Sequence, residues 1–163
     1  MNLLGSHDTW RIASLAKDRL NALKLAVIFQ MCFVGALHVY YGDEILMEAS
    51  RDPDNRRPFN WDWPSDPQAV EHRELIRELI HLRKNQYLLQ TGEFGWLDSS
   101  EDVIAFRRYS QDCELGIWIN LSEDDYEIQG ELANEPLFVF GKVSGAKDAL
   151  ILHAGSVAIC HLL

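Results

Sequence analysis

Hydrophobic residues recur with two different spacings along the first half of the chain. A short apolar run that includes Leu3 and Leu4 ends at Gly5 and predicts a buried strand. The apolar residues between Arg19 and Phe33 recur at helical spacing and predict a long, largely covered helix. The β-branched and aromatic run Leu37–Tyr41 predicts a second strand. Strand, helix and strand in this order form a βαβ unit, in which the two strands are parallel.

A second helix is predicted from Pro67 to Lys84, because Asp66 followed by Pro67 is typical of a helix start and one face of the segment is apolar. Beyond Thr91 the pattern changes to short strands separated by polar turns, which predicts an antiparallel β-sandwich. The predicted strands are Gly92–Leu97, Val103–Tyr109, Glu114–Asn120, Leu137–Phe140 and Val157–Leu162. We therefore expect two domains, an α/β domain over residues 1–90 and an all-β domain over residues 91–163.

The composition and net charge of the chain argue against several classes of function. The chain has 163 residues, of which 47% are hydrophobic, and its net charge of −10 argues against binding to nucleic acid. The three cysteines, Cys32, Cys113 and Cys160, are widely spaced, which predicts free thiols and neither a metal site nor a cofactor. The apolar run Leu23–Val34 is too short to span a membrane, and the N-terminus does not resemble a secretion signal. We expect a cytoplasmic protein that does not associate with membranes.

Four polar residues follow the first predicted strand, as Ser6-His7-Asp8-Thr9. In α/β folds the carboxyl ends of parallel strands carry the functional side chains, so His7 and Asp8 are candidates for a site at this edge. The alternative is structural, because Ser6 or Asp8 could cap the helix that follows. The sequence leaves both readings open.

The segment Met47–Trp63 lacks hydrophobic periodicity and is rich in charged residues and proline, and a loop of this length is uncommon without a function. Its Asp and Arg side chains suit the hydroxyl groups of a sugar, and its aromatic rings, Phe59, Trp61 and Trp63, suit either sugar stacking or burial. A purely structural, salt-bridged loop is the alternative. For the adjacent carboxylates Asp43 and Glu44, the sequence favours a structural role over acid–base catalysis. The sequence also predicts isolated core or surface histidines at His38, His153 and His161.

Several of these segments resemble the α-amylase superfamily, glycoside hydrolase family 13. The segment Asn-Leu-Leu-Gly-Ser-His-Asp-Thr-x-Arg at residues 2–11 is similar to the last conserved catalytic segment of that family, with Trp10 where a proline is usual. Tyr-Tyr-Gly-Asp-Glu at 40–44 and Asp-Pro-Asp-x-Arg-Arg-Pro at 52–58 resemble its neopullulanase, cyclomaltodextrinase and maltogenic amylase branch. The resemblance implies that residues 1–90 are the last two β/α units of a (β/α)8 TIM barrel.

The same resemblance assigns roles to four residues. It implies that Asp8 is the third catalytic carboxylate, which stabilises the transition state, and that His7 binds sugar hydroxyl groups. Asp52 and Arg56 would bind a glucose residue one subsite beyond the point of cleavage. Arg57 is expected to form a structural ion pair instead.

The function that the resemblance implies is the C-terminal portion of a retaining α-glucan hydrolase acting on α-1,4 or α-1,6 glucosidic bonds. Such enzymes need a nucleophile and an acid as well as Asp8, and no Asp-x-x-Arg-x-Asp segment occurs in the sequence. We therefore expect the chain to be inactive alone and to bind an α-glucan oligosaccharide weakly. Its expected protein partners are a second copy of itself or the missing N-terminal part of the enzyme. The alternatives are a non-catalytic carbohydrate-binding or accessory module, and a protein-interaction module.

Overall fold

The structure is a computed structural model that describes residues 1–128, 132–146 and 149–163. The chain divides into two compact units, Met1–Lys84 and Asn85–Leu163. The domain boundary expected at Gln90 falls inside a short helix, α4, which covers Tyr87–Thr91.

The first unit contains the predicted parallel strand pair. Strands β1, Asn2–Leu3, and β2, Leu37–His38, pair in parallel, and the helix α2, Leu20–Cys32, connects them. The side-chain amide of Gln30 on α2 donates hydrogen bonds to the carbonyl oxygens of Asn2 and His38, each at 3.0 Å. The βαβ prediction is therefore confirmed, and partly buried hydrogen bonds hold the helix against both strands. The prediction that the first strand is buried is wrong, because Leu3 is 42% exposed.

Strand β2 is shorter than predicted, because the chain turns where the aromatic pattern continues. The backbone N–H of Asp43 donates to the carbonyl oxygen of Tyr40 at 3.0 Å, and Gly42 adopts a left-handed conformation with φ of 88°. This turn needs a residue without a Cβ at Gly42, where an added Cβ would lie 2.4 Å from the Met47 sulfur. The sequence Leu37–Tyr41 therefore contains a two-residue strand followed by a turn.

The remaining helices of the first unit are α1, Ile12–Leu15, and α3, Pro67–Asn85. Helix α3 begins as predicted, with the Asp66 carboxylate accepting a hydrogen bond from the backbone N–H of Gln68 at 2.9 Å. Near its other end, the Arg83 guanidinium donates to the carbonyl oxygens of Met31, Phe33 and Gly35. It thereby satisfies carbonyl groups at the C-terminal end of α2, where a cation is favourable.

The second unit is built from short antiparallel strands. These are β3, Glu93–Trp96; β4, Val103–Tyr109; β5, Glu114–Asn120; β6, Tyr126–Glu127; β7, Phe138–Phe140; β8, Val143–Ala146; β9, Ala149–Leu152; and β10, Val157–His161. They form a five-stranded sheet in the order β3-β4-β5-β10-β7 and a three-stranded sheet in the order β6-β9-β8. Apolar residues of both sheets share one core, which includes Trp118, Leu152 and Cys160.

The predicted antiparallel strands are present, with two corrections in the three-stranded sheet. Strand β8 occupies Val143–Ala146, a segment outside the five predicted strands, and residues 147–148 lie outside the described residues. Strand β8 pairs with β9 at the end of the sheet order, so the polar Ser144 and the left-handed Gly145 are tolerated there. Strands β6 and β9 were also absent from the prediction, since β6 has only two residues and β9 shows no alternation of polar and apolar residues.

Candidate functional site

The segment between β1 and α1 forms a turn that directs His7 and Asp8 to solvent. The backbone N–H of Ser6 donates to the Thr9 hydroxyl at 3.0 Å, and the backbone N–H of Asp8 donates to the Ser6 hydroxyl at 3.2 Å. Helix α1 is preceded by Arg11, which makes no side-chain capping bond. The alternative in which Asp8 or Ser6 caps this helix is therefore wrong, because the cap position lies beyond both residues.

The four residues singled out from the sequence lie in one continuous row. His7 Nε2 lies 3.0 Å from Asp8 Oδ2, and the other carboxylate oxygen of Asp8 lies 3.5 Å from Arg56 Nη2. Arg56 Nε in turn lies 2.6 Å from Asp52 Oδ1. We refer to His7, Asp8, Asp52 and Arg56 as the polar shelf. Their side chains are 49–72% exposed, so their donors and acceptors are open to a ligand.

Arg57 turns away from this row, as the sequence analysis expected. Its guanidinium forms an ion pair with Asp54, whose carboxylate also accepts a hydrogen bond from the backbone N–H of Ser50 at 2.8 Å. The Arg57 hydrogen bond, followed by the bond from Ser50, lowers the pKa of Asp54 below its ordinary value. The expected structural ion pair of Arg57 is confirmed.

The pair Asp43 and Glu44 is also structural. Arg11 is fully buried, and its Nη1 lies 3.2 Å from Asp43 Oδ1 and also donates to the carbonyl oxygen of Tyr41. The Arg11 guanidinium stacks on the rings of Tyr40 and Tyr41, at 4.3 Å and 4.7 Å from their centroids. Burial raises the pKa of Asp43, and the hydrogen bond from Arg11 opposes that rise.

Glu44 uses its carboxylate locally, since its Oε2 accepts a hydrogen bond from the backbone N–H of Gly42 at 2.6 Å. With Asp43 paired to a buried guanidinium, neither carboxylate is arranged as an acid–base catalyst. Arg11 thus ties the end of the Gly5–Arg11 segment to the turn after β2. This buried anchor next to the polar shelf was not identified from the sequence.

The three aromatic residues of the long loop differ in exposure, two being partly buried and one exposed. Phe59 and Trp63 pack against the apolar cluster of Ile45, Met47 and Ala69. Trp61 is 79% exposed, with its ring edge against Phe59 at a centroid distance of 4.8 Å. Packing against this cluster therefore accounts for the aromatic side chains of Phe59 and Trp63, whereas Trp61 presents an aromatic face to solvent.

His153 in the second unit is not isolated, which corrects the sequence analysis. Its Nε2 lies 2.9 Å from the Ser144 hydroxyl and its Nδ1 lies 2.7 Å from Asp125 Oδ1. The His153 carbonyl oxygen also accepts hydrogen bonds from Asn120 and Ser156. The histidine therefore links Ser144 on β8 to Asp125, which is 28 residues away from it in the sequence. These contacts were missed because Ser144 and Asp125 show no motif-like spacing to His153.

Two further features bear on the kind of site. Within residues 1–128, 132–146 and 149–163, no group of three His, Cys, Asp or Glu side chains is arranged to hold a metal ion. Over the same ranges, none of the helices combines the length and hydropathy that crossing a bilayer requires.

Comparison with known proteins points to one family. Residues 1–73 match the family described as "Alpha amylase, catalytic domain". The chain is 32% identical to a cyclomaltodextrinase of Thermoanaerobacter pseudethanolicus over 149 residues, which are 91% of this chain and 24% of that protein. It is 38% identical to neopullulanase 2 of Thermoactinomyces vulgaris over 121 residues, which are 73% of this chain and 20% of that protein.

Solved structures agree with the sequence matches. A maltogenic amylase from S. marinus superposes with a TM-score of 0.79 at 28% identity, over 97% of this chain and 22% of that one. A debranching enzyme from Nostoc punctiforme superposes with a TM-score of 0.80 at 27% identity, over 98% of this chain and 35% of that one. The chain spans about a quarter or less of the length of the two sequence relatives above.

The parallel strand pair and the antiparallel sheets are thus shared with these solved structures. The chain belongs to the α-amylase superfamily, glycoside hydrolase family 13.

Proposed function

We propose that the polar shelf is part of the sugar-binding cleft of a retaining α-glucan hydrolase that acts on α-1,4 or α-1,6 glucosidic bonds. The observation that carries the proposal is the row His7–Asp8–Arg56–Asp52, in which neighbouring polar atoms lie 2.6–3.5 Å apart. The names of the relatives support it, since they include cyclomaltodextrinase, neopullulanase and maltogenic amylase.

The chemistry of the shelf suits a neutral sugar. Carboxylates accept hydrogen bonds from hydroxyl groups, and a guanidinium donates to them in a fixed geometry. On the shelf Arg56 Nε lies 2.6 Å from Asp52 Oδ1 in the same loop, and this short ion pair orients the guanidinium before a ligand arrives. A pre-ordered arginine loses little conformational entropy on binding, which favours recognition of a ring with several hydroxyl groups.

We assign Asp8 the role of stabilising the transition state. Glycoside hydrolysis passes through an oxocarbenium-like transition state, which carries positive charge on the sugar ring. A carboxylate placed in advance next to that charge lowers the barrier electrostatically. In this proposal His7 and Arg56 orient the Asp8 carboxylate from its two sides, while His7 also binds a sugar hydroxyl. Asp52 and Arg56 hold the adjacent glucose.

We further propose that the nucleophile and the acid belong to polypeptide outside these 163 residues, in the remainder of a (β/α)8 barrel. Retaining enzymes place these two carboxyl groups about 5 Å apart across the scissile bond. Asp8 interacts instead with His7 and Arg56, and Arg56 uses its other side for Asp52. The chain then binds an oligosaccharide but does not cleave it.

A calorimetric titration with maltotriose tests the binding role. We expect heat of binding at millimolar sugar, and we expect Arg56→Met to weaken the affinity by about tenfold or more, because a charge-assisted hydrogen bond contributes about 1.5–3 kcal/mol. The matched control is Arg77→Met on α3, which removes another exposed arginine paired to a carboxylate, Glu74, at 3.1 Å. Equal affinities of the Arg56 and Arg77 variants would contradict the proposal.

A hydrolysis assay tests whether the chain is inactive alone, as proposed, or is an active enzyme. The purified chain is expected to release no reducing sugar from cyclodextrin, pullulan or maltotriose. Turnover that disappears in Asp8→Asn would overturn the proposed inactivity. Binding of maltotriose that is unchanged in Asp8→Asn would favour the alternative, a non-catalytic carbohydrate-binding module.

We also propose that the chain associates through its open strand edges, either with the remainder of the barrel or with a second copy of itself. In the part of the chain that the structure describes, β1 and β2 pair only with each other, and Leu3 on β1 is 42% exposed. Unpaired strand edges are templates for further pairing. Light scattering is expected to give a mass above that of one chain at high protein concentration, and a strictly monomeric mass would contradict this proposal.

A further inference from the structure

The two halves of the polar shelf lie on separate segments, and the contact between them is weak. His7 and Asp8 belong to the turn after β1, while Asp52 and Arg56 belong to the long loop. An ion pair between exposed side chains joins the halves, with 3.5 Å between Asp8 Oδ1 and Arg56 Nη2. Such pairs contribute little in water, so another contact must fix the spacing of the halves.

Asn55 makes that contact. Its side chain is fully buried, and Nδ2 donates to the carbonyl oxygen of His7 at 2.7 Å and to that of Thr9 at 2.9 Å. These two carbonyl groups flank Asp8 in the chain. The two N–H bonds of one carboxamide therefore hold the backbone on both sides of the Asp8 carboxylate.

The same residue is fixed within the other half of the shelf. Asn55 is the middle residue of a 3-10 turn, Asp54–Arg56, in which the backbone N–H of Arg56 donates to the carbonyl oxygen of Pro53 at 3.1 Å. Arg56 directly follows Asn55, and Asp52 pairs with Arg56. A shift of the Asn55 side chain is thus transmitted to both halves.

We propose that Asn55 is the positioning residue of the polar shelf, and that its carboxamide N–H groups set the distance between His7–Asp8 and Asp52–Arg56. One consequence is that the affinity for sugar depends on a residue that cannot touch the sugar, and this consequence rests on the proposed function. The position requires a side chain that donates two hydrogen bonds, because both partners of Asn55 Nδ2 are acceptors. Within the described ranges the buried Oδ1 has no hydrogen-bond partner, so donation is the role of this side chain.

Asn55→Asp is the sharpest variant, since it keeps the size of the side chain and replaces the donor with an oxygen that faces two carbonyl oxygens. Its matched control is Asn60→Asp, an exposed asparagine in the same loop whose Oδ1 accepts a bond from the backbone N–H of Asp62. Asn55→Ala, which removes the donor without adding a charge, serves as the second variant where Asn55→Asp fails to fold.

Hydrogen exchange followed by mass spectrometry tests the positioning role of Asn55 without any sugar. We expect amide exchange in residues 5–11 to accelerate about tenfold or more in the Asn55 variant and to stay unchanged in Asn60→Asp. Exchange in the strands of the second unit should not change. Unaltered exchange in residues 5–11, or acceleration throughout residues 1–84, would overturn the positioning role.

A maltotriose titration of the same variants then tests the consequence. The affinity of the Asn55 variant is expected to fall by about tenfold, and that of Asn60→Asp to match the unmodified chain. If the unmodified chain binds no maltotriose, the proposed function fails while the exchange experiment still decides the role of Asn55. Normal affinity combined with accelerated exchange would overturn the link between spacing and binding.

Discussion

Replacing Arg11 with methionine is expected to lower the free energy of unfolding of the first unit by about 3–5 kcal/mol, which is the cost of leaving one member of a buried ion pair without its partner. Arg11 is fully buried and Asp43 is only 8% exposed, so water cannot replace the lost guanidinium. The substitution also removes the stacking on Tyr40 and Tyr41. Urea unfolding monitored by circular dichroism measures the effect.

Two further variants separate this explanation from a general loss of packing. Arg77→Met removes an exposed arginine and is expected to change the stability by less than about 0.5 kcal/mol. Adding Asp43→Asn to Arg11→Met should recover part of the lost stability, because a neutral amide no longer carries the unpaired charge. A single Arg11→Met variant as stable as the unmodified chain would show that the buried pair is not the anchor of this segment.

The second large effect is a loss of stability in acid that originates at His72. This side chain is 1% exposed on α3, and burial, followed by repulsion from Lys24, lowers its pKa from 6.5 to about 4. Between these two values the unfolded chain binds a proton that the folded chain does not. Stability should therefore fall as the pH falls through this window, by about 1.4 kcal/mol per pH unit and about 3 kcal/mol in total.

Replacement of His72 by leucine provides the control, since the variant has no proton to gain at this position. Its stability is expected to change much less between pH 6.5 and 4 than that of the unmodified chain. Asp43 acts in the opposite direction: its raised pKa lets the folded state bind a proton first in acid, which offsets part of the loss at the low end of the window. Parallel pH profiles for the two proteins would contradict this origin.

Much of the fold follows from the hydrophobic pattern because the pattern is long enough to be unambiguous. Helices α2 and α3 span at least thirteen residues each, and strands β4 and β5 have the predicted bounds, Val103–Tyr109 and Glu114–Asn120. The length of strand β2 was overestimated. Tyr40 and Tyr41 are residue types that favour a strand, but they lie in a turn that Gly42 completes. Strands β6, β8 and β9 escaped prediction because they are short and gain their stability from pairing rather than from propensity.

For the candidate site, the sequence indicates which residues are exposed and charged, and the structure adds which residues position them. His7 and Asp8 stand out in the sequence as polar side chains at a strand end, whereas Asp52 and Arg56 were singled out in the charged loop by the resemblance to the α-amylase superfamily. Arg11 and Asn55 do not, although both are fully buried. Burial of a polar side chain depends on contacts between distant segments, which residue type does not reveal. The contacts of His153 with Ser144 and Asp125 were missed because neither residue shows a motif-like spacing to it.

The central claim, that the polar shelf binds an α-glucan, is tested most directly by nuclear magnetic resonance of the isotopically labelled chain during a maltotriose titration. The largest chemical-shift changes are expected at the amides and side chains of His7, Asp8, Asp52 and Arg56, with one common dissociation constant in the millimolar range. Changes confined to other residues, or none at millimolar maltotriose, would contradict it.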